Sequence, residues 1–232
     1  MKIGIITPNY RRANIFELWA ASIERIRRDL NIELPAVCVS DINDSKTCSE
    51  HNIHHIIMPN RPVTNKFNAG MEYMGSLAMD YVIISGSDDI FSSDTIAKII
   101  VEAEKGYDMI GLSTLYFYAA DGIHKGKLCK LNYTNRALGV GKTISSRVLE
   151  KINWKPWTKE RNWGMDVLVS MAIRPYVKTQ KLLDDVFVVD VKCRENINKS
   201  TMWFNKLKNN MIDPLEFYNI LGEEEKQILK TL

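Results

Sequence analysis

The chain has 232 residues, 45% of them apolar and 25% charged, with a formal net charge of +3. Such a length accommodates one large α/β domain, or one domain with an extension, and the composition is ordinary for a globular protein. So small a charge permits an anionic ligand but excludes the strongly basic footprint of a dedicated nucleic-acid binder. The four cysteines, Cys38, Cys48, Cys129 and Cys193, form no C-x-x-C pair. That pattern excludes a recognisable zinc site and suits a reducing compartment. No stretch approaches the ~18 apolar residues that a membrane span needs. The apolar start breaks at Pro8, too early for a secretory segment. A cytoplasmic protein with no membrane span is therefore expected.

Lys2 to Thr7 predicts a first strand, with Ile3, Ile5 and Ile6 as core contacts and Pro8 as its stop. Asn14 to Glu17 has the Asx-x-x-Glu spacing of a capping box. Ile15, Trp19, Ile23, Ile26 and Leu30 follow at helical intervals. Pro35 to Val39 predicts a second strand ending in Ser40 and Asp41, and His55 to Met58 a short third. A helix then runs from Thr64 through Lys66, Phe67, Asn68, Gly70, Met71 and Met74. Polar strand ends in this order suggest a nucleotide-binding half-sheet. There is no G-x-G-x-x-G and no G-x-x-x-x-G-K-[ST], which argues against a dinucleotide site and a P-loop.

Tyr81 to Phe91 (YVIISGSDDIF) carries the strongest signal. Its continuous apolar start predicts a strand covered on both faces, in the middle of a parallel sheet. It ends in small residues and two adjacent carboxylates, Asp88 and Asp89. Paired carboxylates are hard oxygen ligands suited to Mg²⁺ or Mn²⁺, and open α/β sheets bind ligands at such strand ends. A carboxylate here can also simply cap the next helix. Ser92, Ser93 and Asp94 already fill that role before Ile96, Ile99, Ile100 and Ala103.

The helix from Asp94 to Lys105 stops at Gly106. Tyr107 to Leu112 predicts a further strand, which Tyr116, Phe117 and Tyr118 extend. Residues 121–136 hold His124, Lys125, Lys127, Lys130 and Arg136, an exposed loop or hairpin that is either solvated surface or an acceptor contact. Leu138 to Arg147 reads as a strand containing Gly139 and Gly141, which mark a bulge or a close ligand approach, and a helix from Ser146 to Ile152 follows. Trp154, Trp157 and Trp163 then lead to Asp166 in the first turn of an apolar helix reaching Ile173. Two readings of Asp166 stand: a carboxylate complementing the helix dipole, or a general base beside an aromatic sugar-binding surface. Trp157 and Trp163 are equally open between sugar stacking and core packing. Val186 to Val191 is a last strand, followed by Lys192, Arg194 and Lys199. Further on, Asp213-Pro214 and Gly222 with three glutamates begin short helices. The expected organisation is a domain over 1–200 and a helical extension over 201–232.

In this order and spacing, residues 2–195 resemble the GT-A glycosyltransferases, especially the family-2-like enzymes that use nucleotide-diphosphate sugars. Ile5 to Arg11 (IITPNYR) is similar to the family's opening strand and nucleotide-contacting turn. Phe67 to Met71 (FNAGM) resembles its Asn-x-Gly helix start near the donor, and Ile84 to Ile90 (ISGSDDI) its Asp-x-Asp metal motif. Gly139 to Lys142 resembles the glycine-containing strand near donor sugar or acceptor, and Met165-Asp166 stands at the family's Glu-Asp pair. Three departures stand out: Gly86 replaces the first Asp of the metal motif, Met165 replaces the Glu, and no His follows residue 124.

The resemblance implies a Rossmann-like α/β fold, a mostly parallel central sheet flanked by helices with a small C-terminal helical extension. It implies a metal-dependent inverting, hexosyltransferase-like enzyme using Mn or Mg. The sugar would pass from a nucleotide-diphosphate donor to a hydroxyl acceptor, either a saccharide or a modified nucleic-acid base. Donor contacts are implied for Thr7, Pro8, Asn9, Arg11, Asp41, Lys66, Asn68, Ser87, Asp88, Gly139, Gly141 and Lys192. Asp88 and Asp89 would hold the metal, Asp166 would be the base, and Trp157 and Trp163 would contact the acceptor. On this reading Asp88→Asn and Asp166→Asn each abolish turnover at near-native stability. The competing expectations are a nucleotidyltransferase and a non-catalytic sugar-binding module.

Overall fold

The computed structural model describes residues 1–133, 135–194 and 200–232; Lys199, noted in the sequence after the last strand, lies outside them. Strand β1 (Ile3–Pro8) is buried along its length except at half-buried Pro8. Its alternate side chains face opposite ways: Ile3 and Ile5 meet helix α1 (Ala13–Leu30), while Ile6 packs with the opposite core. The capping box expected at Asn14 and Glu17 does not form, since α1 has no side-chain cap. Glu17 is engaged instead by Thr47 at 2.6 Å and His51 at 3.0 Å. Strand β2 (Ala36–Ser40) is followed by helix α2 (Ser45–Glu50), strand β3 (His54–Ile57) and helix α3 (Val63–Ser76). Strand β4 (Tyr81–Ile84) is wholly buried, as its apolar run demands. After it come strand β5 (Asp89–Phe91) and helix α4 (Ser93–Glu104), whose cap is Ser92 Oγ, 3.1 Å from the Thr95 amide.

Strand β6 (Met109–Leu112) ends before Tyr116–Tyr118 and is not extended by them, contrary to the expectation from sequence. Those aromatics lie in a separate strand, β7 (Thr114–Ala119), which forms a hairpin with β8 (Leu128–Asn132). Strand β9 (Thr143–Ser145) is shorter than expected. Gly139 and Gly141 lie in the turn before it, and Gly141 has φ 69°. Helices α5 (Ser146–Glu150) and α6 (Met165–Ile173) follow, then strand β10 (Gln180–Leu183), unforeseen in the sequence, and β11 (Val188–Lys192). The C-terminal part comprises α7 (Ser200–Lys206), β12 (Met211–Ile212), α8 (Leu215–Ile220) and α9 (Glu223–Thr231).

The main sheet runs β10-β6-β9-β4-β1-β2-β3. All its neighbours are parallel except β9, which is antiparallel to both β4 and β6. The expected mostly parallel sheet flanked by helices is therefore present. A second sheet, β12-β8-β7-β11-β5, was not anticipated. On one face of the main sheet α1 and α4 build a core from Trp19, Ile23, Ile96 and Ile99. On the other, Phe67, Met71 and Met74 of α3 meet Val82 and Ile84 of β4. The C-terminal segment packs back through Arg25 and Glu225 (2.7 Å) and through Trp203 stacked on Phe117 at 4.6 Å. Among the described residues no helix is long and apolar enough to cross a membrane.

Candidate donor, metal and base site

Strand order reverses at β1, which has β2 on one side and β4 on the other. A crevice opens beyond the carboxyl ends of strands at such a switch point. Here it is a cavity of about 1200 Å³. Asn9, Arg12, Asp88 and Lys192 line one part, and Gly139, Lys142 and Asp166 another.

The acidic centre is assembled by two local structures. A tight turn carries the Asp89 amide to within 3.2 Å of the Gly86 carbonyl, setting Asp88 and Asp89 at the end of β4. Antiparallel pairing of β5 with β11 then sets Asp190 opposite Asp89. One oxygen from each of Asp88, Asp89 and Asp190 lies within 4.8 Å of the others. Arg12 Nη1 stands 2.8 Å from Asp88 Oδ2, and Lys192 Nζ stands 4.0 Å from the same oxygen. Lys192 also pairs closely with Asp190.

Charge is unevenly held here. Burial pushes the Asp88 carboxyl upward, but Arg12 and Lys192 overcome it and leave the group below its usual range. Asp89 is pushed well above that range by burial and by the charges of Asp88 and Asp190. Burial raises Asp190 to about 7, with Lys192 opposing and Asp88 reinforcing the rise. Three carboxyls face two cations, and Asp190 Oδ1 is buried with no hydrogen-bond partner. An oxygen-only donor set with an unmet acceptor fits a hard divalent cation such as Mg²⁺ or Mn²⁺. Gly86 stands where the resembled motif has its first Asp, and a side chain there would have to displace the neighbouring carboxylates. A Cβ there would lie 2.6 Å from Asp88 Oδ1 and 3.0 Å from Asp89 Oδ2.

The turns after β1 and β4 are tied together by hydrogen bonds. Arg12 Nη2 donates to Ser87 Oγ (2.7 Å), which donates to Asn9 Oδ1 (2.8 Å), and Asn9 Nδ2 donates to Asp44 (2.9 Å). Lys66 Nζ holds the Asn9 carbonyl at 2.7 Å. Arg11, expected at the donor, is exposed and lies against the Tyr10 ring; its φ of 53° turns the chain so that Arg12 enters the site instead. Pro8, Asn9, Lys66, Asp88, Asp89, Gly139 and Lys192 line the cavity. Thr7, Asp41, Asn68, Ser87 and Gly141 are not among its lining residues. Thr7 is buried, and Asp41 caps a one-turn helix through the Asn43 amide at 3.1 Å. Asn68 clamps the Trp157 backbone, at 2.8 Å to its carbonyl and 3.2 Å to its amide. A Cβ on Gly141 would strike Leu112.

Across the cavity, Asp166 is exposed in the first turn of α6. A Cβ on Gly139 would collide with its carboxylate, so glycine there leaves the acid its place. Lys142 Nζ donates to Ser170 Oγ (2.7 Å), and Ser170 donates to the Asp166 carbonyl (2.6 Å). Trp157 lines the cavity but is buried, stacked on Phe67 at 4.6 Å, with its indole N–H on the Met165 carbonyl at 3.2 Å. Trp163 is 67% exposed, beside Arg161, and does not line the cavity. The sequence reading missed Arg12 and Asp190. Asp190 lies two residues before Lys192 in an otherwise apolar strand, a spacing that does not by itself point to a site.

No family model matches the sequence, and no curated protein matches it. Solved structures do. S. aureus TarS (residues 1–349) superposes with a TM-score of 0.56 at 14% identity, covering 99% of this chain and 69% of that one. Mannosyltransferase PcManGT from Pyrobaculum calidifontis, in complex with GDP-Man and Mn²⁺, gives 0.58 at 14% identity, covering 98% and 68%. The bifunctional IspDF from Campylobacter jejuni gives 0.50 at 15% identity, covering 89% and 54%. Against a longer TarS structure the chain spans 42% of the length. The fold is thus GT-A-like.

Proposed function

We propose that this chain is a metal-dependent, inverting glycosyltransferase that moves a sugar from a nucleoside-diphosphate donor to a hydroxyl acceptor. The observation that carries this reading is one cavity lined both by the Asp88–Asp89–Asp190 cluster, with Arg12 and Lys192, and by the exposed Asp166. Asp88, Asp89 and Asp190 would hold Mg²⁺ or Mn²⁺, which when bound supplies positive charge to a departing diphosphate. Arg12 and Lys192 add fixed cations at the same place, already oriented by their carboxylate partners. Asn9 and Lys66, locked to the turn after β1, shape the donor's entry. Asp166 accepts the acceptor's hydroxyl proton, a contribution of about 10²–10⁴-fold. Attack from its side of the sugar, away from the diphosphate, inverts the anomeric carbon. Residues 1–200 would carry this chemistry, and 201–232 brace it through the Arg25–Glu225 pair.

The Mn²⁺ and GDP-Man in the mannosyltransferase neighbour support a nucleotide-sugar donor and this class of cation. The test is a thermal-shift panel of nucleoside diphosphates and nucleotide-sugars, with and without Mn²⁺. Native-state binding raises stability by mass action. Stabilisation by at least one of them that depends on the metal is expected, and none by any member would end the proposal. The IspDF likeness gives a second reading, nucleotidyl transfer. Pyrophosphate release from a nucleoside triphosphate would favour that reading, and nucleoside-diphosphate release from a nucleotide-sugar the first.

A further inference from the structure

Away from the carboxylate cluster the cavity is basic. Arg61, Arg136, Lys142, Arg174 and Lys178 line it, and Asp166 is the one acid among its described lining residues outside the cluster. None of these five cations forms an ion pair with a described residue. Lys142 is the least ordinary of them. It is 1% exposed, yet its ammonium reaches Ser170, which is exposed on α6. Of its three N–H donors, Ser170 Oγ takes one. Burial pulls its pKa down, and Asp166 is the charge that opposes this.

A prop for α6 would account for the Ser170 bond alone. A neutral side chain would do that with less desolvation, since burying an ammonium beside one hydroxyl is costly. Propping also leaves unexplained why four further cations without an ion-pair partner among the described residues line the same cavity. An anion entering the cavity beside Lys142 would take up its remaining donors in a space that other cations also line. Several cations lining one cavity suit the multiple charge and three acceptor oxygens of a phosphate better than a singly charged carboxylate.

We infer that the acceptor carries a phosphate group beside its reacting hydroxyl, and that Lys142 fixes this phosphate next to Asp166. Arg136, Arg174 and Lys178 draw it in from the mouth. The word acceptor rests on the function proposed above; the phosphate site itself does not.

The experiment uses the full chain with Mg²⁺ and a saturating nucleoside diphosphate, which fills the donor side. Glycerol 3-phosphate, inorganic phosphate, glycerol and chloride are titrated at matched ionic strength while melting temperature is followed. Glycerol 3-phosphate and phosphate should raise it, whereas glycerol and chloride should not. Lys142→Met should weaken the phosphate response about tenfold, as expected for loss of a charge-assisted hydrogen bond. No response beyond chloride, or an unchanged response in Lys142→Met, overturns the inference. If Lys142→Met does not fold, the exposed pair Arg174→Ala with Lys178→Ala gives the same readout, and unchanged phosphate affinity there is equally decisive. If no nucleoside diphosphate binds, the titration without nucleotide still reads the Lys142 dependence; only the donor assignment then falls.

Discussion

Asp89 and Asp190 face each other as partners across the antiparallel pairing of β5 and β11, and both carboxyls are pushed above their usual range. The folded chain therefore keeps protons that the unfolded chain has already released. Stability contributed by Asp190 is complete below its ordinary 3.8 and is lost as pH rises towards about 7. Asp88 acts in the opposite direction, its depressed carboxyl losing its contribution as pH falls. A divalent cation competes with the protons on Asp89 and Asp190, so Mn²⁺ should stabilise the chain more at about pH 8 than at about pH 5.5. Melting curves at both values check this. Asp190→Asn should flatten the difference; equal stabilisation of the native chain at both pH values would count against a metal at this cluster.

Asp166→Asn should lower turnover by about 10²–10⁴-fold. Because Asp166 is exposed, its stability should stay within about 0.5 kcal/mol of the native chain. The same outcome was expected for Asp88→Asn from sequence, and the structure revises it. Asp88 sits between Arg12 and Lys192 with 13% of its side chain exposed. Removing its charge leaves buried cations short of a partner, at a cost on the order of 3 kcal/mol. Chemical denaturation of the two variants separates them.

Gly139→Ala places a methyl group into the space of the Asp166 carboxylate. The acid must move, and misplacement of about 1 Å costs on the order of 10²-fold in rate. Donor binding, read by nucleotide-dependent thermal shift, should be unaffected while kcat falls. A variant with native kcat would show that Asp166 does not work from its observed position.

Gly86→Asp restores the spelling of an Asp-x-Asp motif but not its geometry. The new Cβ would crowd Asp88 and Asp89, and the Gly86 amide already donates to Asp89 Oδ2. Lower stability and no gain in Mn²⁺ affinity by calorimetry are expected. Tighter metal binding would instead show that the turn can open.

The half-sheet was legible because β1, β2 and β4 are continuous apolar runs with polar ends, and their ends indicated where a ligand would sit. The second sheet was not legible, since the aromatic run at Tyr116 to Tyr118 reads equally well as a continuation of β6. Only Ser113, with its amide on the Leu183 carbonyl, separates the two strands. Asp88, Asp89 and Asp166 could be picked out from adjacency or helix position. Asp190 could not, because its role comes from pairing with a strand about a hundred residues earlier, a tertiary fact. Arg11 was named in place of Arg12 for a similar reason: a single left-handed residue decides which guanidinium turns inward.

The partnership of β5 with β11 pairs Phe91 with Val188, Ile90 with Val189 and Asp89 with Asp190, and the Ser92 amide on the Phe187 carbonyl and the Val191 amide on the Asp88 carbonyl extend it at either end. Strand side chains alternate between faces, so Asp190 and Lys192 share one side while Val189 and Val191 occupy the other. Sliding this ribbon by a single residue would bring valines to the place where ions now meet. The ionic character of the centre is thus inherited from how β11 is aligned with β5 on one side and β7 on the other, and a substitution that loosens that alignment can silence it without touching any charged side chain.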